Sequence, residues 1–150
     1  MTAAVPAGHA SVVVQRRVEW PDTDAAGHYH HATVIRWVEA AEAVLYDRLG
    51  LSGLFGRIPR VHYEADYRAR LWFGDTVDIA FGVAAIGRTS IDYAFEVRRG
   101  DEVAVVGAMV AVSFDPDGGG SAPWPDDVRT AFTTGGVLAP ERFTSAVDPA

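Results

Sequence analysis

Residues 31–49 constrain this chain more than any other segment. Val34, Ile35, Trp37, Val38, Ala41, Val44 and Leu45 cover most of the girth of a helix there, while Arg36, Glu39, Glu42 and Asp47 gather toward one stripe. A helix with so wide an apolar surface has to be buried. Gly50 supplies its stop. It is the one long helix-like run in 150 residues, so its cover has to come from strands.

The strands follow from period-2 alternation. In residues 11–20, Val12, Val14, Val18 and Trp20 share a face, with Arg16 breaking the row. In 60–69, Val61, Tyr63, Ala65, Tyr67 and Ala69 oppose Arg60, His62, Glu64, Asp66 and Arg68. Residues 76–85 place Val77, Ile79, Phe81 and Val83 on one face, and 89–98 do the same with Ile91, Tyr93, Phe95 and Val97. One buried face per strand is the mark of an antiparallel sheet. Residues 102–114 are apolar on both faces, which predicts a central strand, and Gly100-Asp101 predicts the hairpin turn before it. Pro125-Asp126-Asp127 predicts the start of a short helix reaching Phe132. The expected fold is α+β, a curved antiparallel sheet of about five strands around one long central helix. The expected boundaries are a flexible N-terminus at 1–10, one domain at 11–133 and a flexible C-terminal tail at 134–150.

Charge and cysteine count narrow the function. Thirteen basic against 20 acidic residues give −7, which argues against nucleic-acid binding and against docking on anionic membranes. The chain has no cysteine, so disulfides and thiolate metal sites are excluded and a reducing compartment fits. Residues 1–10 show no signal-peptide pattern and no run reaches the length of a membrane span. A cytoplasmic location is expected.

The segment Glu19 to His31 crowds Asp and His onto the N-terminus of the helix. Helix N-termini present unpaired N–H groups and partial positive charge. Such a place can stabilise an oxyanion, and a carboxylate or imidazole beside it can activate water. Asp24 is the candidate carboxylate; a plain turn role is the competing reading. Asp22 suits a turn or cap. The His31 backbone N–H is a candidate donor whatever its side chain does. His28, His30 and His31 do not have the spacing of a helical metal-binding pair, and no metal is expected. Glu39 and Glu42 read as a solvated or interface stripe shared with Arg36. His62 reads as a surface or subunit-contact residue, and Tyr63 and Tyr67 as core or pocket wall.

The run Asp22-Thr-Asp24-Ala-Ala-Gly27, then His31, then Arg36-Trp37-Val38-Glu39-Ala40-Ala41-Glu42 resembles the hotdog-fold acyl-CoA thioesterases, in the 4-hydroxybenzoyl-CoA thioesterase and YbgC-like branch. Phe73-Gly74-Asp75-Thr76-Val77, Gly87-Arg88-Thr89-Ser90, Pro123-Trp124-Pro125 and Asp127-Val128-Arg129 extend the likeness over roughly residues 12–132. The resemblance implies hydrolysis of an acyl-CoA or carrier-protein-bound acyl thioester. It implies Asp24 as general base or nucleophile, and the His31 N–H as the group polarising the carbonyl, with the imidazole assisting. Gly27, His28 and His30 fall where the substrate would sit, and Arg88, Thr89 and Ser90 where the nucleotide end of coenzyme A would be held. Coenzyme A is then part of the substrate and no resident cofactor is needed. The implied assembly is a homodimer with the site between subunits, and dimers that pair into homotetramers in many members. Trp20 stands where the branch often has Tyr, and His28 and His30 where it commonly has an apolar and an aromatic residue. A hotdog hydratase or dehydratase and a non-catalytic acyl-thioester binding protein are the alternative readings.

Overall fold

A computed structural model describes residues 4–143. Five strands form one antiparallel sheet: β1 (Ser11–Arg17), β2 (Arg60–Tyr67), β3 (Thr76–Ile86), β4 (Ser90–Arg99) and β5 (Glu102–Val112). Their order is β1-β3-β4-β5-β2, so the strand that follows the long helix crosses over to the far edge. The helices are α1 (Thr33–Arg48) and α2 (Asp126–Thr134).

Alternation places the side chains that α1 rests on. The row Val14, Ile79, Val97, Val105 and Tyr67 runs straight across the sheet, and beside it runs Val12, Phe81, Phe95, Gly107 and Ala65. Gly107 is required by the second row: a Cβ there would sit 2.2 Å from Phe95 Cζ and 2.3 Å from the Glu64 carbonyl oxygen. Against this face α1 buries Val34, Trp37, Val38, Ala41, Val44 and Leu45, at i, i+3, i+4 spacing, whereas Ile35, expected among them, is 40% exposed. The helix stops at Gly50, whose φ of +72° disfavours other residues. The Leu51 N–H then reaches back to the Tyr46 carbonyl (2.8 Å) and the Gly50 N–H to Asp47 (3.1 Å), the paired bonds of a Schellman stop.

Four expectations are corrected here. First, β1 ends at Arg17, and Pro21 draws Trp20 into a one-turn 3-10 helix where it is 75% exposed. Second, the register of β2 shifts between Arg60 and His62. That bulge turns Val61 out to solvent, 62% exposed, and aims Arg60 inward, reversing the faces read from alternation. Third, Glu42 is not on a solvated stripe: it is wholly buried and its carboxylate pairs with Arg60. Apart from Arg60, neither of its oxygens has a partner among the described residues. Beside it the Tyr46 and Tyr93 hydroxyls bond to one another. Burial pushes the Tyr46 phenol up to about 12 and Tyr93 well above the ordinary value of 10.

Fourth, residues 136–143 are tied to the sheet. The Ser11 N–H donates to Gly136, Leu138 to Ser11, Glu141 to Val13 and Gln15 back to Glu141, at 2.8–3.0 Å. Arg16 pairs with Glu141 and Arg142 with Asp78. The free edge of β1 is therefore covered, whereas among the described residues nothing pairs with the outer edge of β2. Residues 1–3 and 144–150 of the two expected flexible ends lie outside the described residues. Among the described residues no helix is long and apolar enough to cross a membrane.

Candidate active site

The turn before α1 is built on Asp22. Its side chain accepts the Glu19 N–H (2.8 Å) and pairs with Arg36 (3.1 Å). Its carbonyl accepts the His30 N–H (2.7 Å) and the Thr33 hydroxyl (2.9 Å). Those four bonds set the angle at which the chain enters the helix, the structural role that a short capping side chain suits.

Asp24 has a different environment. One oxygen, Oδ1, accepts the Ala26 N–H at 2.8 Å. The turn closes through Gly27 N–H to the Asp24 carbonyl (2.9 Å), with Gly27 at φ +85°. No cation lies within salt-bridge distance of Asp24 among the described residues, so Oδ2 is unengaged. The carboxylate is exposed and lines a cavity of about 400 Å³ with His28, Tyr29, His31, Tyr67, Arg68, Ala69 and Arg70.

The start of α1 supplies the donor. The His30 N–H goes to Asp22, the Ala32 N–H to His30 Nδ1 (3.0 Å) and the Thr33 N–H to the His30 carbonyl (2.9 Å). The His31 N–H between them has no acceptor among the described residues. The peptide that carries it is held by the Thr33 N–H on the His30 carbonyl, and the next peptide by the Tyr67 hydroxyl, which donates to the His31 carbonyl at 2.7 Å. In that bond His30 Nδ1 is the acceptor. Its ring stacks on that of His31 at 4.2 Å, and His28 lies edge-on to Trp72 at 5.7 Å. Tyr29 donates to the Ala69 carbonyl (3.1 Å), and burial pushes its phenol up to about 12. The Tyr29 phenol is therefore a hydrogen-bonding wall and not a base. Among the described residues no group of three or more His, Cys, Asp or Glu could hold a metal ion.

The structure thus gathers Asp24, His28 and His31 around one cavity, with Gly27 and His30 adjoining. It does not gather Arg88, Thr89 and Ser90. Tyr67 shares a row with Val105 and Val97, and Ser90 lies seven residues further along β4, about 24 Å at 3.4 Å per residue. Within one chain, then, that turn sits at the opposite end of the sheet. Alternation in β2 makes Tyr67 a pocket-wall candidate but does not reveal its bond to His31.

A family model described as the thioesterase-like superfamily matches residues 18–132. A 1,4-dihydroxy-2-naphthoyl-CoA hydrolase from Synechococcus sp. (strain CC9605) is 29% identical over 126 residues, 77% of this chain and 85% of its own length. A thioesterase from Thermus thermophilus, solved in complex with coenzyme A and Zn, superposes with a TM-score of 0.75 at 26% identity, over 83% of this chain and 92% of that one. A thioesterase superfamily protein from Jannaschia sp. CCS1 gives 0.73 at 26% identity, over 81% and 80%.

Proposed function

The chain belongs to the thioesterase-like superfamily, and we propose that it hydrolyses an acyl-CoA thioester to the free acid and coenzyme A with Asp24 as the reacting carboxylate. One observation carries the reading: an unengaged carboxylate oxygen and a peptide N–H without an acceptor border the same cavity at the start of α1. The names of the relatives, a 1,4-dihydroxy-2-naphthoyl-CoA hydrolase and a thioesterase solved with coenzyme A, agree with it.

In the proposed reaction the thioester carbonyl oxygen accepts the His31 N–H and the positive end of α1 polarises it further. Asp24 takes a proton from water as that water attacks the carbonyl carbon. The tetrahedral oxyanion is held by the same N–H, then collapses and expels the thiolate, which takes up the proton. In the variant route Asp24 attacks the carbonyl carbon, the C–S bond breaks and the thiolate leaves, and water then cleaves the resulting anhydride to the free acid and the Asp24 carboxylate, the proton released going to the thiolate. Coenzyme A enters only as part of the substrate.

The sixteen-residue α1 laid on a five-strand sheet supports the hotdog arrangement, and the family match at 18–132 supports a domain of 11–133. A homodimer through β2 is also part of the proposal. Among the described residues the β1 edge is covered and the β2 edge is unpaired, with Val61 and Tyr67 exposed beside it. Antiparallel pairing of two copies of β2 sets the Arg60 end of one beside the Tyr67 end of the other. The Arg88 turn of the second copy then lies at the same end of the joined sheet as Asp24. It is about three strand spacings away, about 14 Å, a span that the pantetheine arm bridges. The dimer would supply what the single chain lacks.

Thiol release from a panel of acyl-CoA esters tests the chemistry. Asp24→Asn and Asp24→Ala should lower kcat by about 10²–10⁴-fold with the oligomer unchanged. Undiminished cleavage in both variants would rule out this assignment of Asp24.

A further inference from the structure

All thirteen cationic Lys and Arg positions of this chain are arginines. Arg16, Arg36, Arg48, Arg60, Arg98, Arg99 and Arg142 are ion-paired. Arg17 covers the Phe143 ring and Arg129 donates to the Gly87 carbonyl. Four remain without a partner among the described residues, and two of these, Arg68 and Arg70, line the cavity that contains Asp24. Neither neutralises Asp24, which has no cation within 4.0 Å. In a chain of net charge −7, the residues bordering the site therefore include two arginines without an ion-pair partner among the described residues, of which Arg68 also borders a second cavity beside Glu96, against one carboxylate. Local positive charge of this kind draws anions into a cleft.

Reach decides which anion. A sphere of the cavity's volume is about 9 Å across. An extended pantetheine arm, about four residue-lengths of chain, places the coenzyme A phosphates about 13 Å from the sulfur. With the thioester carbonyl at His31, those phosphates lie outside the cavity, whereas a substituent on the acyl group lies inside it. Resting on the hydrolase reading above, we propose that the preferred acyl group itself bears a carboxylate, and that Arg68 and Arg70 clamp it. The planar fork of arginine suits that group and discriminates against a neutral acyl chain of the same length.

The test separates acyl charge from carrier charge by using N-acetylcysteamine thioesters, which have no phosphate. Succinyl and glutaryl esters are compared with butyryl and pentanoyl esters on the wild type, Arg68→Gln and Arg70→Gln. Both arginines are exposed, and matched melting curves check that each variant folds. The wild type should favour the carboxylated esters in kcat/KM, chiefly through KM. Each substitution should cut that preference by about 10- to 100-fold, the loss of a charge-assisted pair. Equal turnover of both ester series by the wild type overturns the proposal. The same acyl series is also run as coenzyme A esters, and a loss in the variants that appears only there overturns the proposal too, since the arginines would then be holding phosphate. Hydrolysis without preference leaves the thioesterase reading standing; no thiol release from any ester removes both.

Discussion

Replacing Arg60 with methionine should be among the most destabilising single changes to a partly exposed side chain in this protein. The β2 bulge exists in a form that aims Arg60 at Glu42, whose carboxylate is wholly buried. Without the guanidinium that carboxylate has no other partner among the described residues. Breaking a buried pair from one side costs about 3–5 kcal/mol, because the remaining charge is stranded. The Arg60 side chain is 36% exposed, so water can reach the vacated space and the lower end, about 3 kcal/mol, is the expected figure. For a chain of this size that is a fall in Tm of about 6–12 °C. Urea unfolding at pH 7 of the wild type, Arg60→Met, Glu42→Met and the double variant closes a mutant cycle. The double variant should recover most of the loss, since methionines fill the same space without charge. If Arg60→Met unfolds within about 1 kcal/mol of the wild type, the carboxylate is not stranded, and the reading of the bulge as a device for aiming Arg60 fails.

Tyr67→Phe removes the hydroxyl that fixes the His31 carbonyl, and kcat should fall about tenfold with KM little changed, the worth of one hydrogen bond; an unchanged kcat would show that the donor peptide does not need this support. Alkaline stability follows from the raised phenols. Unfolded tyrosines ionise near 10, whereas Tyr46 and Tyr29 hold their protons to about 12 and Tyr93 well above 10. Folding therefore keeps protons that the unfolded chain sheds. The stability they confer is full below pH 10 and is lost as pH climbs from 10 toward 12. Melting curves across pH 8–12 should show that fall, and Tyr46→Phe/Tyr93→Phe should flatten it; a level wild-type profile contradicts the burial argument. Mixed refolding of Asp24→Ala with Arg88→Ala chains tests the shared site: half the dimers would be hybrids, each with one intact site. At substrate well below KM, activity should approach about a quarter of wild type. Mixing that yields no more than the average of the two parents would place Arg88 on its own chain's site or on none.

Local periodicity made most of the fold legible. β1 to β4 and α1 carry the period of their own structure, β5 is marked by a continuous apolar run, and Gly50 marks the helix stop before any tertiary contact is known. What periodicity could not reveal were places where a residue is re-aimed or paired at a distance. Arg60 reads as outward until a one-residue bulge turns it. Glu42 reads as solvated because the partner that makes its burial tolerable is eighteen positions away on another element. Residues 136–143 lack a pattern because they follow β1 through scattered backbone bonds and two ion pairs, Glu141 with Arg16 and Arg142 with Asp78, which impose no periodicity on side-chain type.

The site divides along the same line. Asp22, Asp24 and Gly27 belong to one turn, and the turn can be read locally: a short carboxylate for the cap, a second that folds back only on Ala26, and a glycine at positive φ. The donor at His31 also follows from its place before the helix. Tyr67, Arg68 and Arg70 reach the cavity because β2 crosses to the far edge of the sheet and ends there, a consequence of strand order that no segment encodes alone. Arg88 lies one step further removed. Its turn meets Asp24 only if a second copy pairs with the open strand, so its position depends on a symmetry operation and not on the chain's own path. The more partners a residue's role requires, the less of that role is written in its neighbours along the sequence. In this protein that ordering runs from Asp24 through Tyr67 to Arg88, and the hybrid-dimer experiment probes its last member.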